Sequence, residues 1–248
     1  MLSNDVIQDQ IAYYRARAGE YDEWFYRVGR YDRGAELNQL WFDEVAVVQK
    51  ALHSLPHTQH ILELACGTGI WTQELATLGD QVTALDASAE VIAVNRGKIN
   101  NPHPLAPSPL HGEGEQNHAA VEYMQADLFA WEPEPEAYDM VFFGFWLSHV
   151  PPERLDGFLD KVRRALKPGG HLFALDSLPD LTSSAKNHEA YQPESIYHIR
   201  KLNDGQEFKI VKIFYEPDAL QAKLVEHGFE AAVKTSGRYF WYAVGVRD

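Results

Sequence analysis

From residue 60 onward, short apolar runs alternate with stretches of helical period. Residues 60–65 form an apolar run that predicts a buried strand. The spacing of apolar residues over 70–78 predicts a helix that ends at Gly79. Further strands are predicted over 81–85, 121–126, 137–143 and 171–176, and further helices over 89–98, capped by Ser88, and 152–166. Because alternating strands and helices form parallel sheets covered on both faces, the pattern predicts a doubly wound α/β fold.

The two ends of the chain depart from this alternation. Residues 6–28 are aromatic-rich and helix-compatible, and residues 36–55 carry an apolar stripe of helical period that Pro56 ends. Near the other end, segments 196–202 and 207–215 flank Asn203-Asp204-Gly205, which predicts a hairpin. A helix over 217–226 then precedes two strands, 230–235 and 239–246, whose short connection predicts an antiparallel pair at the sheet edge.

One segment, residues 101–119, fits neither element type. Its four prolines and two glycines disfavour both helix and strand, so we expect a disordered insertion between the second helix and the third strand of the sheet region. Three histidines lie in it (His103, His111 and His118), but no fixed scaffold would position them. We therefore expect no metal site.

Composition and charge narrow the class of partner. The net charge of -14 disfavours a nucleic acid, although a locally basic pocket could still take a small anion. With the single cysteine, Cys66, no internal disulfide is possible. The sequence shows no signal-peptide pattern, and its longest apolar run, 140–147, is too short to cross a bilayer. We expect a cytoplasmic protein without a membrane partner.

A glycine turn, Gly67-Thr68-Gly69, follows the first predicted strand of the sheet. Thr72 stands where a dinucleotide-binding turn has its third glycine, and no P-loop lysine follows, so a phosphate cradle and a nicotinamide oxidoreductase are disfavoured. Asp86 ends the next strand, where such folds bind ribose hydroxyls, and Asp127 ends the third, where a carboxylate can accept from an adenine amino group. Together they predict an adenosine site without a phosphate clamp.

These motifs resemble the class I S-adenosylmethionine-dependent methyltransferases. The matching stretches are 63–69, 83–86, 125–127, 138–143 and 166–170. The resemblance covers nearly the whole chain outside 101–119, with Ala65 standing where the family usually has glycine. It implies a single domain with a seven-stranded, mostly parallel Rossmann-like sheet and an antiparallel edge hairpin. Its parts would be an N-terminal helical cap (1–56), a cofactor-binding core (57–176), a lid or substrate segment (177–215), and a C-terminal helix with edge strands (216–248).

The resemblance also implies S-adenosyl-L-methionine as cofactor and assigns roles to named residues. Gly67 and Gly69 would lie against the methionine part, Asp86 would bind the ribose, and Asp127 with Leu128 would frame the adenine. The remaining residues expected at the cofactor are Tyr14, Tyr21, Glu63, Ala65, Trp71, Ala87 and Phe143.

A narrower resemblance concerns the acceptor. Stretches 13–22, 142–151 and 204–212 are similar to the phosphonate O-methyltransferase of the dehydrophos pathway, in which a lid and an arginine help to hold the phosphonate. Arg200 is at the matching position here, whereas the sequence after Tyr21 departs from that enzyme. The resemblance implies O-methylation of a small anionic acceptor, with a phosphonate as one candidate.

Methyl transfer depends mainly on positioning, and an acceptor that is already anionic needs no base. His149 follows the fourth strand and is the candidate catalytic residue, as a base or as a donor to an anionic oxygen; the alternative is a loop histidine before the helix at Pro152. The residues expected at the acceptor are His149, Arg200, Tyr21, Trp146 and Lys209. Lys212 presents the same choice as Lys209, and either lysine could instead lie on a solvated strand face. Carboxylate, phenol and quinone acceptors stay open, as does a non-catalytic adenosyl-binding module.

Overall fold

A computed structural model describes residues 4–100, 119–188 and 195–248 of the chain. Its helices are α1 (Asn4–Ala16), α2 (Tyr21–Phe25), α3 (Ala35–Leu52), α4 (Thr72–Leu75), α5 (Ala89–Asn100), α6 (Pro152–Ala165) and α7 (Pro217–Glu226). Its strands are β1 (Thr58–Leu64), β2 (Gly79–Asp86), β3 (Ala120–Gln125), β4 (Tyr138–Gly144), β5 (Leu166–Ser177), β6 (Tyr197–Lys201), β7 (Glu207–Val211), β8 (Phe229–Thr235) and β9 (Phe240–Arg247).

Seven strands form one sheet in the order β3-β2-β1-β4-β5-β9-β8. The first five are parallel, while β9 runs antiparallel to both β5 and β8. This arrangement confirms the predicted seven-stranded, mostly parallel sheet with an antiparallel pair at its edge. β6 and β7 form the predicted hairpin as a separate two-stranded sheet.

Helices cover both faces of the sheet because each presents an apolar stripe to it. On α6, Leu155, Phe158, Leu159 and Val162 recur at helical spacing and are buried in one cluster with residues of α7. Trp41, Val45, Val48 and Leu52 of α3 are buried in the cluster on the opposite face. The sheet is therefore the middle layer of three, and the carboxyl ends of its parallel strands are left to the loops.

Several predicted boundaries shift. The stretch 6–28 holds two helices with a turn between them that contains Gly19. The helix predicted over 70–78 is only α4, and Gly79 begins β2 instead of ending that helix. A Cβ on Gly79 would lie 2.9 Å from Ile61 Cδ1, so the glycine permits close packing beside β1. Residues 167–170, Lys-Pro-Gly-Gly, have a composition typical of a turn, yet they lie within β5, at an irregularity in its pairing with β4.

The N-terminal cap and the hairpin meet beside the sheet. The Gln10 side chain on α1 accepts a hydrogen bond from the Val211 backbone N–H of β7. The insertion predicted at 101–119 lies outside the described residues as far as residue 118. Within the part of the chain that the structure describes, no helix is long and apolar enough to cross a bilayer.

Candidate active site

The glycine turn lies between β1 and α4, and its shape depends on glycine. Gly67 has φ +52° and Gly69 has φ +87°, conformations that L side chains rarely adopt. A Cβ on Gly69 would also clash with the Asn95 side chain. The absence of a side chain at this position therefore lets α5 pack against the turn. The N-terminal cap touches the same turn, because the Thr68 hydroxyl donates to Asp22 at 2.5 Å.

Asp86 orders the mouth of a cleft beside this turn. Its carboxylate accepts from the backbone N–H of Gly67 at 3.0 Å and of Ser88 at 2.9 Å. Desolvation in the cleft raises the pKa of Asp86, while these hydrogen bonds oppose the rise. The cleft has a volume of ≈ 740 Å³, and its lining combines two carboxylates, Asp86 and Asp127, with apolar side chains such as Leu128.

The cleft residues fit an adenosine-bearing cofactor. Carboxylates at two successive strand ends can accept from ribose hydroxyls and from an adenine amino group. The Trp146 side chain also lines the cleft, and its buried indole N–H has no partner among the described residues. The site thus offers both acceptors and a spare donor, and no cationic side chain lines the cleft in the part of the chain that is described.

Glu63 begins a buried network behind the turn. Its carboxyl accepts from the Thr72 hydroxyl at 2.7 Å, and that hydroxyl accepts from the Asn95 amide at 2.8 Å. The Tyr123 hydroxyl is the last member of this hydrogen-bond network and donates to the Asn95 amide oxygen at 2.9 Å. Burial raises the pKa of Glu63 to about 8, against the hydrogen bond from Thr72. Glu63 therefore holds a proton at neutral pH, when no ligand lies beside it.

A second cavity of ≈ 580 Å³ adjoins the cleft and is cationic. Arg17, Arg200 and Lys212 all line it. Within the described ranges neither guanidinium forms an ion pair with a carboxylate; Arg17 instead lies over the Tyr21 ring, at 4.7 Å, and donates to the Tyr31 hydroxyl at 3.2 Å. The side chains that line both cavities are Tyr14, Tyr21, Phe145 and His149. The two cavities are therefore neighbours that share a wall of aromatic rings.

Lys212 differs from the two arginines because it is paired. Its ammonium donates to Asp176 at 3.0 Å and to the Ser148 hydroxyl at 2.7 Å, and Asp176 is fully buried. Burial raises the pKa of Asp176 and is outweighed by Lys212 and the other groups around it, so the net shift is downward. The pair contributes no net charge to the cavity, whose uncompensated charges are the guanidinium groups.

His149 lies at the boundary between the cavities with both ring nitrogens engaged. Nδ1 lies 2.6 Å from the Val211 carbonyl oxygen, and Nε2 lies 2.6 Å from the Tyr14 hydroxyl. Burial, and then the nearby Lys212, lower the pKa of His149 to about 3. The imidazole is neutral across the physiological range, and neither nitrogen is open to a substrate in this arrangement.

Comparisons with known proteins agree with this geometry. A family model described as a methyltransferase domain matches residues 61–170. The fold is similar, with a TM-score of 0.74, to a structure described as a DhpI-SAM-HEP complex, which is 33% identical and aligned over 99% of each chain. The chain belongs to the class I S-adenosylmethionine-dependent methyltransferases. It is an enzyme of the transferase class that uses S-adenosyl-L-methionine.

Two relatives of this methyltransferase act in quinone biosynthesis, by their names. The ubiquinone biosynthesis O-methyltransferase of Xylella fastidiosa is 30% identical over 163 residues, which are 60% of this chain and 58% of that enzyme. The ubiquinone/menaquinone biosynthesis C-methyltransferase UbiE of Escherichia coli is 27% identical over 183 residues, which are 70% and 67% of the two chains. The chain therefore spans little more than half of the first of these relatives.

Most residues predicted to bind the cofactor surround the methyltransferase cleft. Those that line it are Tyr14, Tyr21, Ala65, Gly67, Asp86, Ala87, Asp127 and Leu128. Glu63 and Trp71 line a smaller opening behind the glycine turn, which shares Ala65 and Gly67 with the cleft. Gly69 packs on Asn95 and lines neither cavity, so its part is to shape the turn.

Two further residues predicted at the site line none of these cavities. The Phe143 ring is fully buried in the core against Phe158, with ring centroids 5.3 Å apart, because β4 directs it towards α6; the residues after it, Gly144 and Phe145, line the cleft instead. Lys209 is exposed and lies over the Tyr197 ring at 4.4 Å. Alternation along β7 directs it away from the cavity.

The other predicted acceptor residues lie at the cavities: Arg200 at the cationic one, Trp146 in the cleft, and Tyr21 and His149 at both. Arg17 was not predicted, although it follows Tyr14 by three residues and so falls on the same side of a helix. Of the two lysines considered from the sequence, Lys212 is the one that reaches the cavity. The Arg17 and Lys212 side chains are both buried at the cavity, and a single sequence does not show which cations are buried.

Proposed function

We propose that this enzyme transfers the methyl group of S-adenosylmethionine to an oxygen of a small anionic acceptor, for which a phosphonate is the leading candidate. The observation that carries the proposal is the cationic cavity beside the cofactor cleft. Arg17 and Arg200 line it without a carboxylate partner in the described part of the chain, and Lys212 stands beside them. A small anion with several terminal oxygens would neutralise this cavity.

The charge balance favours an anion that guanidinium groups can hold from two sides. Asp176 offsets Lys212, so Arg17 and Arg200 supply two uncompensated positive charges. A guanidinium presents donors in a planar fork that matches carboxylate, phosphate and phosphonate oxygens. The similarity to the phosphonate O-methyltransferase argued from the sequence, and the similarity to the DhpI complex, support a phosphonate within this group.

The chemistry follows from positioning. When bound, S-adenosylmethionine supplies a sulfonium methyl carbon, which becomes bonded to the acceptor oxygen as the carbon–sulfur bond breaks and its electron pair remains on sulfur. The arginines hold the anionic oxygen, and the aromatic side chains of Tyr21, Trp24 and Phe145 restrict water around it. Such orientation can supply about 7–11 kcal/mol of barrier reduction, and no proton has to leave the acceptor.

A quinone-type or phenolic acceptor is the second candidate, because two relatives carry quinone-biosynthesis names. A phenol would need a base. We propose that His149 would take that proton through a relay, because the Tyr14 hydroxyl occupies its Nε2 atom. The apolar lining of the cleft fits the cofactor and does not separate these acceptors. A non-catalytic adenosyl-binding module would bind the cofactor and methylate none of them.

The test is a methyl-transfer assay on small phosphonates, carboxylates and phenols, read as release of S-adenosylhomocysteine. We expect turnover with phosphonates, and Arg200→Gln should raise the KM for the acceptor about 10- to 100-fold because it removes a charged hydrogen bond. Lys209→Gln is the matched control, since that cation is on the same hairpin but exposed. Turnover confined to phenols would refute the anionic acceptor.

A further inference from the structure

The direction of each hydrogen bond around His149 can be assigned. The Val211 carbonyl oxygen, 2.6 Å from Nδ1, can only accept, so Nδ1 carries the hydrogen. In a neutral imidazole the other nitrogen then has a lone pair and no hydrogen. The Tyr14 hydroxyl, 2.6 Å from Nε2, must therefore donate to it.

The surroundings of the ring keep it neutral. His149 is buried, and the charged groups that act on it are Lys212, Asp176 and Arg200, two of them cations. Its lowered pKa, about 3, agrees with this placement. Burial also raises the pKa of Tyr14 well above its usual range, so the tyrosine keeps the proton that it donates.

Gln10 holds the backbone that fixes this arrangement. Its amide nitrogen donates to the His149 carbonyl oxygen, and its amide oxygen accepts from the Val211 N–H, each at 3.1 Å. The residues joined by the Nδ1 hydrogen bond are thus also joined through one glutamine. Gln10 and Tyr14 are four residues apart on α1 and lie on one face of that helix, so a single element supports both sides of the ring.

We propose that Tyr14 presents its hydroxyl oxygen as an acceptor only, towards the positively polarised sulfonium methyl group of the cofactor, and that His149 is the positioning residue that imposes this polarity. Tyr14 and its hydrogen-bonding partner His149 both line the cofactor cleft and the cationic cavity, which puts this pair at their junction. With its proton committed to His149, Tyr14 cannot donate to an anionic acceptor oxygen, which is left to the arginines. Carbon–hydrogen donors are weak, but a neighbouring positive charge strengthens them.

The test compares two cofactor ligands that differ by this methyl group and its charge. Calorimetry on the full chain should show that Tyr14→Phe weakens S-adenosylmethionine binding about three- to tenfold while S-adenosylhomocysteine binding stays within twofold. Tyr242→Phe is the control, because its ring stacks on Phe173 in the sheet and takes no part in either cavity. An equal effect on both ligands, or none on either, would overturn the proposal.

A second measurement needs no substitution at Tyr14. Nitrogen-15 NMR of the imidazoles, with His149 assigned by comparison with His149→Gln, should show a neutral ring protonated at Nδ1 from pH 5.5 to 8. A ring protonated at Nε2, or a doubly protonated ring, would reverse the hydrogen bond to Tyr14 and refute the assignment. Both measurements use only the protein and the cofactor ligands, without an acceptor. The proposal about Tyr14 and the proposed methylation of an anionic acceptor can therefore be refuted independently of each other.

Discussion

Glu63 makes the stability of the ligand-free enzyme depend on pH in a direction opposite to that of most carboxylates. It is 1% exposed, and burial raises its pKa from 4.5 to about 8. Between these values the unfolded chain has released this proton while the folded protein retains it. The stability associated with Glu63 is therefore fully present below pH 4.5 and is lost as the pH rises towards about 8.

The perturbation that exposes this effect is Glu63→Gln, a neutral side chain of nearly the same shape. A pKa unit is worth about 1.4 kcal/mol. As the pH rises from 5.5 to 8.5, the unfolding free energy of the variant should therefore increase by on the order of 3 kcal/mol relative to that of wild type. At pH 5.5 the two proteins should differ much less, because the folded wild type also carries a neutral group there. The gain belongs to the ligand-free protein, since a cationic ligand group near Glu63 would favour its charged form.

The assay is urea unfolding of wild type and Glu63→Gln at both pH values without cofactor. The difference between the two proteins is compared across pH, which removes titrations common to both. Glu122→Gln, an exposed glutamate of β3, shows what the same exchange does elsewhere in the sheet. A difference that does not change with pH, or a variant that loses stability as pH rises, would refute the neutral buried carboxyl.

Three further predictions concern the same region. Ala65 has φ +53°, so Ala65→Gly should raise the unfolding free energy by up to about 1 kcal/mol in thermal melts, and a loss would show that the backbone is not strained. Lys212→Met leaves Asp176 buried without its cation and should cost about 3–5 kcal/mol in urea unfolding, whereas the double variant with Asp176→Asn should recover part of it. Asp86→Ala should weaken S-adenosylmethionine binding at least about tenfold by calorimetry, and unchanged binding would remove Asp86 from the cofactor site.

The sheet could be predicted from sequence because short apolar runs alternate regularly with helical stretches. In addition, Gly67, Asp86 and Asp127 stand at or just after the ends of successive strands. What could not be predicted depends on tertiary packing. Gly79 resembles a helix terminator in sequence, yet in the fold it begins β2, where a Cβ would crowd the side chain of Ile61. The acceptor residues show the same limit, because the sequence alone does not distinguish Lys209, which is exposed, from Lys212, which lines the cationic cavity.

The hydrogen-bond partners of His149 could not be predicted from the sequence for the same reason. Its place after the fourth strand marked it as a site residue, and the structure puts it at the junction of the cavities. Its partners, Tyr14 and the Val211 carbonyl, lie 135 and 62 residues away along the chain. In the fold these partners engage both ring nitrogens, while burial and the nearby Lys212 lower the pKa of His149 and keep the ring neutral.

Methyl transfer to an anionic oxygen held by Arg17 and Arg200 is the proposal on which the acceptor assignment depends. Its most direct test is phosphorus-31 NMR of the wild-type enzyme with a small phosphonate and S-adenosylmethionine labelled with carbon-13 at the methyl group. We expect a new phosphorus resonance split by carbon-13, which reports a phosphorus–oxygen–methyl linkage. An unchanged phosphonate resonance, while the label appears on phenol or quinone carbon or oxygen in a parallel reaction, would contradict it.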